Sequence, residues 1–266
     1  MDNAAAPILT AENVVKFYGS LHGRSRGKPG GGERRPVLDG VSLDIREGEF
    51  VSVMGPSGSG KSTLLFVLGG ADAADGGCVR FRGRELSALG ENELADLRRT
   101  AIGFVFQQPM MLAGLNILDN ILLPAARLRR EPMKALAARA RLLMGKTGIA
   151  GLENRSIGQV SGGQLQRAAI CRALINRPVI VLADEPTGAL HSRAAQDVMD
   201  LFAEINREGT AILLVTHDVR VAARSRRVLF LLDGKIAGEL HLPPHDPRDM
   251  AARVRAVANM AERLGI

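Results

Sequence analysis

The sequence predicts an α/β protein with a mixed sheet as its core, an antiparallel β piece and a helical subdomain. Short apolar runs rich in β-branched residues recur along the 266 residues, and helical patterns separate several of them. The first runs follow one another across short turns, which favours antiparallel pairing, whereas the later runs alternate with helices, which favours a parallel core. The predicted strands cover 8–18, 41–45, 50–54, 79–81, 102–106, 179–183, 212–216 and 228–232.

The helical subdomain is predicted from 82–100 and 115–150, which are rich in Leu, Ala and Arg at helical spacing. Glycines, two prolines and basic residues in 19–36 predict a mobile loop. The Asp-Gly pair at 233–234 lies between apolar runs and predicts a β-hairpin, which a helix follows. We expect a single domain, 1–266. Its catalytic core, with the antiparallel piece, covers 8–81 and 178–240, the helical subdomain covers 82–177, and a C-terminal helical tail covers 241–266.

The apolar residues are too dispersed for a membrane-spanning helix, since no stretch approaches the roughly 18 consecutive apolar residues that one needs. The first residues lack a basic region followed by an apolar stretch, so we expect no signal peptide and a cytoplasmic location. Cys78 and Cys171 lie far apart without metal-ligand spacing, so we expect them to be small core residues rather than a zinc site or a disulfide.

The formal charge of +7 raises the possibility of a nucleic-acid partner. Part of the excess positive charge lies in 20–35 and more in the C-terminal tail, and aromatic residues do not interleave either cluster. A single Tyr and eight Phe leave few platforms on which bases could stack. No nucleic-acid partner is therefore expected, and the charge is interpreted as a solvated face or a contact with anionic lipid headgroups.

A glycine-rich loop follows the predicted strand at 50–54 and precedes an apolar helical pattern, which matches GxxxxGK[ST] in a strand, loop and helix context. Glycines let main-chain N–H groups turn toward a phosphate, and the helix start adds partial positive charge. Lys61 would reach the β- and γ-phosphates of ATP, and the Ser62 hydroxyl would ligate Mg²⁺. A merely flexible loop is the weaker alternative. The predicted nucleotide-binding residues here are Gly55, Pro56, Ser57, Gly58, Ser59, Gly60, Lys61, Ser62 and Thr63.

Two carboxylates end the apolar strand predicted at 179–183. Asp184 is expected to hold Mg²⁺, through water, and Glu185 to orient and polarise an attacking water, which makes it the candidate catalytic residue. Alone, such a pair would often be an exposed strand end. Its combination with the phosphate-binding loop favours the catalytic interpretation.

A short motif upstream of Asp184, Ser161-Gly162-Gly163-Gln164 followed by QRAAICRAL, resembles the signature of the ABC transporter ATP-binding subunits. The two glycines would open a helix whose free N–H groups and Ser161 hydroxyl form a second anion site, although the motif could also be a plain helix start. The resemblance implies that this site faces the ATP held by another subunit. A second copy of the chain, or a homologous ATPase subunit, would then complete a head-to-tail sandwich of two nucleotides.

Three further positions resemble functional residues of this family. Tyr18 resembles the aromatic residue that stacks on adenine, although a Tyr at a strand end usually packs. Gln107, with Gln108 as the alternative, resembles the glutamine that links Mg²⁺ and water to the membrane domain. His217 follows an apolar strand and could contact the γ-phosphate and hold the attacking water, although an isolated His there would more often be structural.

The chain departs from the family pattern in three places. His191 stands where the family has an Asp in a loop at the dimer interface, Val160 replaces a Leu, and the loop at 19–36 is longer than in relatives. We expect the Val to be nearly neutral. Because Glu185 and His217 are intact, hydrolysis is expected, and a regulatory subunit with impaired hydrolysis is the alternative.

The resemblance covers about 8–240 and, through segments such as LRRTAIGFVFQQ and NILDNILLP, is strongest to the branch of lipoprotein-releasing, macrolide-exporting and cell-division ATPases. It implies a separate polytopic permease at the cytoplasmic face of the membrane, in export or mechanotransmission of peptide, lipoprotein, antibiotic or similar cargo. The permease is expected to dock on 107–124, where Met110, Met111 and Leu112 offer apolar contact or pack internally. An ABC-type ATPase that acts on nucleic acid or ribosomes is the alternative from another class.

Overall fold

The computed structural model describes residues 6–18, 35–244 and 246–266. Most of the loop predicted to be mobile, 19–34, lies outside the described residues. The strands are β1 Pro7–Lys16, β2 Leu38–Arg46, β3 Phe50–Met54, β4 Gly76–Phe81, β5 Arg84–Glu85, β6 Ile102–Val105, β7 Ile180–Asp184, β8 Ala211–Thr216, β9 Arg227–Leu232 and β10 Lys235–His241. The helices are α1 Lys61–Leu68, α2 Glu91–Thr100, α3 Ile117–Ala126, α4 Met133–Lys146, α5 Gly162–Leu174, α6 Ser192–Arg207, α7 Val219–Ala222 and α8 Met250–Arg263.

Two sheets form the scaffold. One is antiparallel, with the strand order β2-β1-β4-β5. The other has the order β10-β9-β3-β8-β7-β6 and is parallel except for β10, which pairs antiparallel with β9. The predicted α/β class, with a mixed core and an antiparallel piece, is confirmed.

The parallel strands are buried on both faces, which explains why they appear in the sequence as continuous apolar runs. Every residue of β3 and of β8 is buried. In the register, Met54 pairs with Thr216 and Asp184 pairs with Val215. The carboxyl ends of β3, β7 and β8 therefore meet at one edge of the sheet, where the segments that follow them come together.

The helices α3, α4 and α5 form the helical layer, and in the sequence they lie between strands β6 and β7. α3, α4 and α5 share an apolar cluster that includes Ile121, Met144 and Cys171. The prediction of helix throughout 82–100 was wrong at its start, because Arg84 and Glu85 form the short strand β5 against β4. Cys171 is buried as expected, whereas Cys78 is only half-buried.

The C-terminal part confirms the predicted hairpin and helix. Asp233 and Gly234 take φ of 48° and 77°, the left-handed conformation that a tight hairpin turn between β9 and β10 requires. α8 then packs against β9 and α7. Among the described residues, no helix has the length and apolar character needed to cross a bilayer.

Candidate active site

The phosphate loop connects β3 to α1 at the carboxyl edge of the parallel sheet. Gly58 and Gly60 take φ of 83° and 100°, a region that favours glycine. A Cβ on Gly55 would lie 2.1 Å from the carbonyl oxygen of Leu231, and one on Gly60 would lie 2.6 Å from that of Val37. Glycine is therefore required at these positions, and the resulting path leads into the start of α1, where N–H groups lack partners within the helix.

Lys61 folds back onto this loop. Its ammonium donates to the carbonyl oxygens of Gly55 at 2.9 Å and Pro56 at 2.8 Å, and its side chain is buried. Burial lowers the pKa of Lys61, although two nearby carboxylates oppose that change. Ser59 Oγ is also buried and has no hydrogen-bond partner in the described part of the chain. A fixed cation beside an unpaired hydroxyl and a helix start suits a phosphate ligand.

Asp184 ends β7 and faces the start of α1. Ser62 Oγ donates to Asp184 Oδ1 at 2.9 Å. Burial raises the pKa of Asp184 and the charge of Glu185 adds to that rise, against the hydrogen bond from Ser62 and the charge of Lys61. The folded protein thus holds a carboxylate whose ionised form is disfavoured until a cation approaches it.

Replacing Asp184 with Asn should give the nucleotide-free protein a free energy of unfolding at least as large as that of the wild type at mildly basic pH. The difference in free energy between the two proteins should shrink as the pH falls. The raised pKa means that the folded state binds the Asp184 proton more tightly than the unfolded chain does. The wild type therefore gains stability as the pH falls through that raised pKa, whereas the Asn variant does not. Thermal unfolding at about pH 8 and about pH 5 measures the difference.

Glu262→Gln, which removes an exposed carboxylate on α8, is measured at the same two pH values as the control for the substitution itself. An advantage of Asp184→Asn that grows on acidification would contradict the expected burial effect.

Glu185 and His217 form a pair beside Asp184. Glu185 has φ of 43°, which is unusual for a residue with a side chain, and its N–H donates to the carbonyl oxygen of Val215 at 3.0 Å. This turn directs the carboxylate toward His217 at the end of β8, and His217 Nδ1 lies 2.8 Å from Glu185 Oε2. An ionised carboxylate only accepts hydrogen bonds, so His217 Nδ1 is the donor. The pair joins a candidate base to an imidazole that orients it.

Tyr18 lies near the start of α1, and its side chain is 52% exposed. Its hydroxyl donates to Asp72 Oδ2 at 2.7 Å, and the Thr63 side chain also reaches it. Lys16 bonds the same Asp72 and lies 5.4 Å from the centre of the Tyr18 ring. The ring is thus held at its hydroxyl end while much of the side chain stays accessible for stacking.

Gln107 follows β6 and is exposed, as is Gln108. A Cβ on Gly188 would come within 2.8 Å of Gln107 Nε2, so the amide lies against the segment that follows Glu185. The N–H of Gly188 in turn donates to the carbonyl oxygen of Glu185 at 3.0 Å. Glycine at 188 therefore lets the Gln107 amide lie against the main chain that follows Glu185.

The signature motif begins α5. Ser161 Oγ accepts from the N–H of Gln164 at 3.3 Å, and Gln164 Oε1 accepts from the N–H of Ser161 at 2.8 Å, which is a capping box. A Cβ on Gly162 would meet nothing within 4 Å, whereas one on Gly163 would contact Ala194 of α6 at 3.3 Å. Within the described residues, no hydrogen bond joins the signature motif to the phosphate loop of the same chain.

His191 precedes α6 and is exposed. Its side chain makes no capping hydrogen bond with the start of the helix. An Asp at this position would be among the residues best suited to cap the helix. Having His191 where the family has an Asp therefore leaves α6 without a side-chain N-cap and this position without a negative charge.

The residues predicted from the sequence thus fall into three groups. One group forms a single site, and the other two, Gln107 and the signature motif at the start of α5, make no described hydrogen bond to that site. The phosphate loop, Asp184, Glu185 and His217 converge, with Tyr18 beside α1. Sequence reasoning missed Asp72, which holds Tyr18, because 54 positions separate them and no motif marks the pair. It also missed Gln166, whose Nε2 donates to the carbonyl oxygen of Phe106 at 3.0 Å and so links α5 to the start of the Gln107 segment.

Comparison with known families matches residues 38–188 to the ABC transporter family. The chain belongs to the ABC transporter family. It is 45% identical over 93% of its length to the macrolide export ATP-binding/permease protein MacB 1/2 of Paracoccus denitrificans, but spans only 36% of that protein. It is 41% identical over 88% of its length to the lipoprotein-releasing system ATP-binding protein LolD of Aquifex aeolicus, and spans 98% of it.

Among solved structures, this ABC chain is similar to the ATP-binding cassette MJ0796, determined as a dimer in a post-hydrolysis state with ADP and Pi. The TM-score is 0.79 at 38% identity, and the match covers 89% of this chain and all of that one. The sequence-based prediction of an ATP-binding and ATP-hydrolysing ABC subunit is confirmed, as is the resemblance to the lipoprotein-releasing and macrolide-exporting relatives.

Proposed function

We propose that this ABC ATPase hydrolyses ATP at Lys61, Asp184, Glu185 and His217, as a head-to-tail dimer that drives a membrane permease. The observation that carries the proposal is the Glu185–His217 pair, whose Oε2 and Nδ1 atoms lie 2.8 Å apart. The pair lies at the sheet edge from which the phosphate loop starts. A candidate base, its orienting imidazole and a phosphate-binding loop are the parts that phosphoryl transfer to water requires.

Each residue has a task that follows from its chemistry. Lys61 and the N–H groups of the loop bind the β- and γ-phosphates, while the Tyr18 ring stacks on the adenine. Glu185 accepts the proton of the attacking water. His217 orients the Glu185 carboxylate through Nδ1, and in the imidazolium form its Nε2–H can also donate to the γ-phosphate.

The residues present also fit Mg²⁺. The described residues contain no group of three His, Cys, Asp or Glu side chains that could hold a metal, so phosphate and water oxygens must complete the ligands. Ser62 Oγ and Asp184 Oδ1 lie 2.9 Å apart, which offers the oxygen ligands that Mg²⁺ prefers, with Gln107 as a further ligand from the neighbouring segment. Bound there, Mg²⁺ would neutralise charge on the phosphates.

A second copy, or a homologous ATPase subunit, is proposed to supply the signature motif. No described hydrogen bond joins this motif at the start of α5, Ser161, Gly162, Gly163 and Gln164, to the phosphate loop of its own chain. Ser161 and Gly162 are exposed and so accessible to a partner. In a dimer with two-fold symmetry, each signature would face the partner's nucleotide. His191 lies near this surface, yet the Glu185–His217 pair supports hydrolysis rather than a purely regulatory role.

The permease is proposed to dock on 107–124, which places the chain at the cytoplasmic face of the membrane. Met110, Leu112 and Leu123 are 66%, 51% and 44% exposed, and they are three of the six exposed large apolar side chains among the described residues. Met111, by contrast, packs partly against the core of the helical layer. An exposed apolar group in one segment suits an amphipathic helix of a partner.

A groove adjoins this segment and supports the same proposal. Its volume is about 400 Å³, and its lining includes Phe104, Phe106 and Pro124 together with Arg98, Arg99 and Arg172. Burial lowers the pKa of Arg172, whose Nη1 donates to the carbonyl oxygen of Met110. A groove lined by both apolar side chains and arginines suits a helix that carries apolar and acidic side chains. The similarity to a macrolide-exporting and a lipoprotein-releasing protein favours export of macrolide, lipoprotein or similar cargo. Mechanotransmission through the permease is the alternative.

Charged substitutions in the docking segment test this partner. The tagged chain, isolated from the membranes of its own organism, should retain a polytopic membrane protein through purification in detergent. Met110→Asp combined with Leu112→Asp should reduce retention by about tenfold, because carboxylates would have to be buried against the partner. ATP turnover by the isolated chain should not change.

Leu142→Asp is the matched control, since Leu142 is 76% exposed on α4 outside this segment, and it should retain the membrane protein. Equal retention by the double variant and the control would reject 107–124 as the docking surface. Retention of nucleic acid instead, with a strong dependence on salt, would favour the alternative partner class.

A further inference from the structure

The C-terminal helix α8 buries an arginine in an otherwise apolar stripe. Its buried residues are Arg253, Val257 and Ala261, spaced by four positions on one face. Val257 and Ala261 pack in an apolar cluster with Phe230 of β9. Arg253 is only 2% exposed. A guanidinium in such a place costs free energy unless hydrogen bonds replace its hydration, so its partners should show what it does.

The partners of Arg253 are three main-chain carbonyl oxygens. Nε donates to Ala223 at 2.7 Å, Nη2 to Ser225 at 2.5 Å and Nη1 to Pro243 at 2.5 Å. Burial lowers the pKa of Arg253, as expected for a cation taken out of water. The planar fork of arginine presents N–H groups on three separate nitrogens in a fixed geometry, whereas the three donors of a lysine all radiate from one nitrogen.

Two of these carbonyls lie in the short segment between α7 and β9. Ala223 is the residue that follows α7, and carbonyls at a helix end lack partners within the helix. Ser225 Oγ supplies another cap by donating to the carbonyl oxygen of Ala222 at 2.8 Å. α7 has only four residues, too few to be stable alone, so its position depends on the groups that hold its ends.

The other end of α7 adjoins His217. Asp218 Oδ1 accepts from the N–H of Arg220 at 2.7 Å, and the N–H of Asp218 donates to Thr216 Oγ1 at 3.0 Å. The His217 side chain is 61% exposed, so few contacts restrain it apart from its bond to Glu185. The main chain between β8 and α7 therefore sets the direction in which the imidazole points.

We propose that Arg253 is a positioning residue for ATP hydrolysis: by joining α8 to the end of α7, it fixes the segment that carries His217. The inference rests on the catalytic role proposed above for His217. It gives the C-terminal tail a task in the reaction although the tail touches none of the reacting atoms. A small displacement of a reacting group lowers rate strongly, so this connection affects turnover more than nucleotide binding.

Arg253→Met in the full chain tests the inference, since Met fills a similar volume and donates no hydrogen bond. We expect kcat for ATP to fall about 10- to 100-fold, with KM for ATP changed less than about twofold. Arg253→Lys, which keeps the charge but loses the fork, should give an intermediate kcat and decides the question if the Met variant does not fold. Both are assayed well below their thermal unfolding midpoints.

Arg255→Met, on the exposed face of the same helix, is the matched control and should keep the wild-type kcat. Adding Arg253→Met to His217→Ala should lower kcat less than about twofold further, because residues that act through one another are not additive. A folded Arg253 variant with wild-type kcat, equal losses in the Arg255 control, or a full additional loss in the double variant would each overturn the inference. His217→Ala with wild-type turnover would instead reject the catalytic role of His217, and this inference with it.

Discussion

Glu185→Gln is expected to lower ATP turnover by about 10²- to 10⁴-fold while ATP binding stays intact. The amide has nearly the shape of the carboxylate and can still accept a hydrogen bond from His217 Nδ1, so the geometry of the pair should persist. It cannot take a proton from water, which is the step that Glu185 supplies. Phosphate release measures turnover, and binding of a fluorescent ATP analogue measures affinity.

The same variant should accumulate the ATP-bound dimer, because binding proceeds and hydrolysis does not. Size-exclusion chromatography with and without ATP and Mg²⁺ detects that change. Glu208→Gln, which changes an exposed carboxylate paired with Lys146, is the control and should turn over ATP at the wild-type rate. Turnover of Glu185→Gln within about threefold of wild type would mean that another group is the base.

Mixing two inactive variants is expected to restore activity if the site is shared between chains. Lys61→Met removes the cation from the phosphate loop. Gly162→Glu places a carboxylate at the signature, where a Cβ meets nothing within 4 Å, so the fold should tolerate it while phosphate is repelled. A head-to-tail dimer of one chain of each kind contains one intact loop facing one intact signature.

Each variant alone should be nearly inactive. An equimolar mixture, in which half of the dimers are mixed, should recover about a quarter of the wild-type rate if the two sites work independently. Gly145→Glu on α4 is the control for an added carboxylate, since a Cβ at that glycine also meets nothing within 4 Å. No recovery in the mixture, with both variants folded, would contradict the shared site.

The sequence determines the chemical parts of this protein because each part is local. The phosphate loop depends on glycines at fixed spacing between a strand and a helix, and the signature depends on a capping box that closes within three residues, Ser161 to Gln164. Asp184 and Glu185 follow from an apolar run that ends in carboxylates. Short-range geometry of this kind can be predicted from residue order alone.

The arrangement of distant segments is decided only by the tertiary structure. Three contacts show this, because each joins residues that are many positions apart and no sequence periodicity predicts the pairing. They are the hydrogen bond of Tyr18 to Asp72, the packing of Gln107 against Gly188, and the hydrogen bond of Arg253 to the carbonyl that follows α7. Arg253 illustrates the limit, since the sequence shows a basic residue in a tail and predicts a solvated charge. Packing of α8 against β9 buries that charge instead, and the main-chain carbonyls of Ala223, Ser225 and Pro243 accept the hydrogen bonds that make the burial possible.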